Sequence, residues 1–195
     1  SREKARKILG FPQKGQIYLS LGMIRPYKGL EFLLETWQKS QEIYNNEDIL
    51  AIVGQARGHL EYGLSLAQKA EQIKGAMVWE GYVDDELIHV YYSAADVVIL
   101  PFQNVLTSGS LILAMSFGKP IIAPRFPSIT ETLGAADWLL YNPEEDNGLL
   151  NAIKKSQGID LEELSGLVNQ ECERLNWENI GKKTIQLYLE LYHNE

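Results

Sequence analysis

Short unbroken apolar runs alternate along this chain with stretches whose apolar positions recur every three to four residues. Ile17–Leu21, Ile49–Val53, Met77–Trp79, Val97–Leu100, Ile121–Ala123 and Trp138–Leu140 are the runs, and their length predicts strands. Val97-Val98-Ile99-Leu100 lacks any polar alternation, the pattern of a strand covered on both faces. Leu30, Leu33, Leu34 and Trp37 fall at i, i+3, i+4 and i+7, which predicts an amphipathic helix. Helices are also predicted over Arg2–Leu9, stopped by Gly10, and over Leu60–Ile73. Another runs to Ala94 with Asp84 or Asp85 as cap, and one spans Ser110–Phe117 with Gly118 at C′ and Pro120 beyond. After residue 140 the pattern is helical only: Glu144–Gln157, Asp160–Leu175 and Trp177–Tyr192.

Strands that alternate with helices predict an α/β fold, a doubly wound parallel sheet with helices on both faces. No repeat, low-complexity stretch or linker divides the chain, so residues 1–195 read as one domain. Its strand-and-helix core covers about 16–157, and extra helices follow over about 160–192.

Composition narrows the partners. A net charge of −8 over 195 residues argues against wrapping nucleic acid or hugging anionic lipid. Cys172 is the only cysteine, so no disulfide forms within the chain and no cysteine-based zinc site is possible. No apolar run approaches the ~18 residues of a membrane span, and the charged start Ser1-Arg2-Glu3-Lys4 is not a signal peptide. A cytoplasmic protein is expected. The start without methionine suggests a piece of a longer chain.

Two glycine-bearing loops then stand out, each between a strand and a helix. The first is Leu21-Gly22-Met23-Ile24-Arg25-Pro26-Tyr27-Lys28-Gly29, the second Thr107-Ser108-Gly109-Ser110. Both fall at the carboxyl ends of strands, where open α/β sheets bind ligands, and helix N-termini there attract phosphate. Lys28 offers a point cation and Arg25 a forked one. Gly22 and Gly109 allow close approach to the backbone, and the hydroxyls of Thr107, Ser108 and Ser110 can cap a helix or touch a ligand. Solvated loop cations and an ordinary N-cap are the alternatives at this point. Tyr82, after the third strand, could stack on a base or be an ordinary core or surface tyrosine. Glu80 and Glu131 could hold sugar hydroxyls or be merely solvated. His89 reads as structural, His59 has no partner pattern, and Asp84, Asp85 and Asp96 read as caps and loop residues without metal spacing.

In order, the segments are Gly22-x5-Lys28-Gly29, Ile52-Val53-Gly54, Trp79-Glu80-Gly81-Tyr82-Val83, Tyr91 to Phe102, and Ser108 to Ala123. This ordered set resembles the C-terminal half of a GT-B glycosyltransferase of the group 1 (family 4) type, over about residues 8 to 192. The resemblance implies a Rossmann-like domain that binds a nucleotide-sugar donor. The implied reaction is sugar transfer from a nucleoside diphosphate to an acceptor, with retention and no essential metal or cofactor. It implies donor contacts from Gly22, Arg25, Lys28, Gly54, Gly81, Tyr82, Val83, Thr107, Ser108, Gly109 and Ser110. Arg25 and Lys28 would stabilise the leaving diphosphate. The acceptor-binding N-terminal half lies outside the chain, and any membrane attachment would come from there. The final helix, with Trp177, Ile180, Thr184, Leu187 and Leu191 on one face, resembles the one that crosses back to that half.

Two departures from the family pattern stand in the sequence. The usual Gly-Arg is Gly22-Met23, with Arg25 two residues on, and the usual pair of glutamates is replaced by Val105 and Leu113. The replacements motivate an alternative, a non-catalytic nucleotide- or sugar-binding module. A third reading is an interaction domain similar only in fold.

Overall fold

The computed structural model describes residues 1–40 and 47–193. Six strands form one sheet: β1 Ile17–Leu21, β2 Ile49–Gly54, β3 Ala76–Glu80, β4 Val97–Ile99, β5 Ile121–Pro124 and β6 Leu140–Tyr141. Their order is β3-β2-β1-β4-β5-β6, and every pair is parallel. Every residue of β1, β4 and β5 is buried, as both-sided helix cover requires. The direction of winding reverses between β1 and β4, so the loops leaving these two strands open a crevice at the switch point.

Helix α1 (Arg2–Leu9) precedes the sheet, and α2 (Leu30–Lys39), α3 (Leu60–Glu71), α4 (Asp85–Ala94) and α5 (Gly109–Ser116) make the crossovers. The stripe Leu30, Leu33, Leu34 and Trp37 is buried on the sheet, each such side chain contributing about 1.5–3 kcal/mol. Then follow α6 (Pro127–Leu133), α7 (Gly148–Ser156), α8 (Leu161–Arg174) and α9 (Trp177–His193).

The structure adds one helix and corrects the bounds of two elements. Helix α6 was unforeseen: Pro127 and Ser128 resemble loop, yet Pro127 occupies the first turn and Ile129 and Leu133 bury one face. The last strand is Leu140–Tyr141, because the Leu140 amide closes a turn onto the Asp137 carbonyl and Arg125 pairs with Tyr141 instead. Helix α7 starts at Gly148 rather than Glu144, whose amide is held by Asn142 Oδ1 in a turn. Asp84 occupies the N-cap of α4 without a side-chain bond.

Asp96 also proves to be more than a loop residue. Its carboxylate meets the fully buried guanidinium of Arg6 at 2.5 Å and Arg2 at 2.8 Å, and accepts the Ile17 amide at 2.7 Å.

At the other end of the sheet the glycine loops are fixed by backbone contact. Gly54 has φ +152, and a Cβ there would stand 1.8 Å from the Gly22 carbonyl oxygen. The Gly22 amide donates to Val53 O and the Gly81 amide to Gly54 O. Three strand ends thus lie flush. Gly54→Ala is expected to cost on the order of 1–3 kcal/mol in backbone strain alone, with the clash added, and urea denaturation measures it.

Candidate functional site

The loop after β1 turns sharply at Gly22, continues through Ile24, and forms a 3-10 turn over Pro26–Lys28. The Ile24 amide donates to Gln55 O, which stitches this loop to the one after β2. The Gln103 amide donates to Tyr27 O, which stitches it to the loop after β4. Lys28 is thereby carried into the crevice, where its Nζ donates to Ser110 Oγ at 3.3 Å. A Cβ on Gly22 would stand 3.0 Å from that nitrogen and 3.3 Å from that oxygen. Gly22, Lys28 and Ser110 therefore converge on one point, where a side chain at 22 would crowd both groups and strain a backbone at φ +138.

Burial and the neighbouring Arg25 pull the Lys28 amine below the ordinary lysine value, burial being the larger cause. Among the described residues no carboxylate lies within ion-pair distance of Lys28 or Arg25. The Arg25 guanidinium donates to Met23 Sδ at 3.9 Å. Two cations thus stand close together without a counter-anion among the described residues.

The second loop completes the arrangement. Ser108 caps α5 by accepting the Leu111 amide at 3.1 Å. The Gly109 and Ser110 amides belong to the first turn, which has no intrahelical partners, and open space lies in front of Gly109. Lys28, Ser108, Gly109 and Ser110 line an open cleft of about 470 Å³, with Thr107 on its wall. Among the described residues no carboxylate lines it. Tyr27, Phe102 and Asn104 line it too and were missed in the sequence. The Gln103–Tyr27 bond that brings them together joins loops distant in the chain.

On the other side of Gly22 lies a more apolar cleft of about 310 Å³, bordered by Gly54, Tyr82, Val83 and Ile88. Tyr82 is largely exposed there. Gly81 does not border this cleft, and a Cβ there would stand 2.8 Å from the Trp79 ring. Glu80 is not a free carboxylate, since Oε1 accepts the Ala56 amide at 2.9 Å. Val105 and Leu113 are half-buried and pack on the core. Glu131 borders a third cleft of about 380 Å³ beyond the Val105–Ser108 wall.

Among the described residues no cluster of His, Cys, Asp or Glu is arranged to hold a metal, and no helix is long and apolar enough to cross a membrane. Helix α9 leaves Trp177, Leu187, Tyr188 and Leu191 exposed.

Comparison with known proteins places the chain in a family. The chain is 29% identical over 180 residues to a GDP-mannose:glycolipid 4-beta-D-mannosyltransferase of Xanthomonas campestris, covering 88% of this chain and 48% of that protein. A Haemophilus influenzae protein known only as an uncharacterized glycosyltransferase is 33% identical, over 72% of this chain and 48% of its own length. The chain thus spans about half the length of these relatives. Sucrose-phosphate synthase from Thermosynechococcus elongatus superposes with a TM-score of 0.74 at 28% identity, over 98% of this chain and 49% of that one. The C-terminal domain of a group 1 glycosyl transferase from Francisella tularensis superposes with a TM-score of 0.66 at 20% identity, covering 89% of this chain and 90% of its own. The family model described as glycosyl transferases group 1 matches residues 1–160, and the chain belongs to that family.

Proposed function

We propose that this chain is the donor half of a glycosyltransferase and seats the diphosphate of a nucleotide sugar in the cleft at the switch point. One observation carries the reading: Lys28 is a half-buried ammonium with a neutral hydroxyl as its partner, beside the open first turn of α5. A buried cation is costly unless an anion joins it, and a diphosphate supplies that charge. Backbone amides of Gly109 and Ser110, with Arg25 and Lys28, take its oxygens. The same groups stabilise the charge that grows on the diphosphate as the sugar departs, which is electrostatic catalysis. The more apolar cleft by Tyr82 and Val83 takes the base. The sugar extends towards Asn104 and Thr107 and meets the acceptor held by the other half, against which α9 packs.

Guanosine diphosphate mannose is the donor to try first, because a relative is named for its use. Retention at the anomeric carbon is the course the family resemblance carries, whereas the β linkage in that relative's name, made from an α-linked donor, is inversion; the anomeric C–H coupling of the product in NMR decides between them. No metal is assigned to the step. The chain alone is expected to bind nucleoside diphosphate weakly and transfer no sugar.

A thermal-shift panel of GDP, UDP, ADP and their sugar conjugates tests the donor site. Ligand at about 100 times Kd adds roughly 2.7 kcal/mol, a rise of about 5–10 °C for a domain of this size. A shift with one base names the nucleotide, and a flat panel on the whole protein overturns the reading. Val105 and Leu113 in place of glutamates favour a second reading, a non-catalytic binding module. Donor turnover by the whole protein would eliminate it.

A further inference from the structure

We infer that Ser110 is a positioning residue that aims the Lys28 ammonium and relays a proton-donating contact to the same anion. This rests on the reading of the cleft as a diphosphate site. Lys28 reaches the crevice from a 3-10 turn after β1, and Ser110 comes from the first turn of α5, 82 positions on. Their bond, 3.3 Å from Nζ to Oγ, joins two side chains across the switch point. The absent side chain of Gly22 leaves the room they occupy.

A hydroxyl suits this place for a chemical reason. It accepts from the ammonium through a lone pair and keeps its own O–H to donate onward. A carboxylate at 110 would neutralise Lys28 and repel the diphosphate. An alanine would leave the ammonium without an acceptor. Serine holds the cation in position without consuming its charge. The charged group facing Lys28 besides the ligand is Arg25, on the same loop. Arg25 repels the ammonium and cannot hold it.

The test uses Ser110→Ala and Ser110→Thr. Lysine Nζ resonances of the free chain are followed by NMR through the alkaline range, and GDP binding is measured by calorimetry over the same pH values. Removing the acceptor disfavours the charged amine, so the Lys28 midpoint is expected to move down in Ser110→Ala and return in Ser110→Thr. GDP affinity is expected to fall about tenfold or more in the alanine variant, and its alkaline decline to begin at lower pH.

An unchanged Lys28 midpoint overturns the inference, whether or not GDP binds. A fall in affinity with an unmoved midpoint also overturns it, since Ser110 would then contact phosphate directly without holding Lys28. Wild-type protein that binds no nucleoside diphosphate while its Lys28 midpoint depends on Ser110 defeats the donor-site reading and leaves the positioning contact standing.

Discussion

Lys28→Ala is expected to weaken nucleoside-diphosphate binding by about tenfold to a hundredfold, the range of a lost hydrogen bond to a charged group. In the whole enzyme the transfer rate is expected to fall by about 10²–10³, the scale of removing one oriented donor from a developing anion. The loss should be larger than for Arg25→Ala, since Lys28 is pinned at the convergence of Gly22 and Ser110. Arg25 is held by a long bond to Met23 sulfur. Calorimetry with GDP and steady-state kinetics on the whole protein measure the two effects.

The same lysine gives two pH dependences of opposite sign. Its amine is lowered by burial, and further by Arg25. In the window between that lowered value and the ordinary lysine range, the unfolded chain binds more protons than the folded one, so stability of the free protein rises with pH there. Ligand affinity falls through the same window, because the ammonium that meets the phosphate is being lost. GDP binding in the window is therefore expected to take up protons. Lys28→Met should abolish the uptake, and calorimetry in buffers of different ionisation enthalpy reads it.

Much of this arrangement could be read from residue order. Apolar runs without alternation marked β1, β2, β4 and β5, and β–α alternation foretold the parallel sheet whose observed order puts the switch point between β1 and β4. The glycine loops fell at strand ends because tight turns need them there. Periodicity failed where it had few turns to act on. Helix α6 has seven residues, opens with proline and buries only Ile129 and Leu133. Its lower turn is held from outside by Arg174, which donates to Glu131 O and Thr132 O. The pairing of Lys28 with Ser110 was equally hidden, for a contact across a crevice leaves no spacing signal. Glu80 looked available in sequence because an acid followed by glycine reads as loop. Its amide partner at Ala56 comes from the neighbouring strand end.

The largest loss of stability is expected far from the cleft, at the amino end of the same two strands. Arg6 is fully buried, and its guanidinium also donates to the carbonyls of Ala94, Pro12 and Gly15. Asp96 sits just before β4 and accepts the Ile17 amide at the start of β1, so one carboxylate ties α1, β1 and β4 together. Asp96→Ala leaves a buried guanidinium held by carbonyls but without its counter-charge, and a strand amide without its acceptor. Breaking a buried pair from one side costs about 3–5 kcal/mol, which lowers the melting temperature by roughly 6–20 °C in a domain of this size. Arg6→Met removes the charge that Asp96 pairs with inside the fold but leaves Arg2 beside it, and is expected to cost less. The double variant Arg6→Met with Asp96→Ala should be more stable than Asp96→Ala alone, because no buried charge is then left without a partner. Equal melting temperatures for Asp96→Ala and the wild type would mean that the ion pair contributes nothing, and that apolar packing alone aligns β1 with β4.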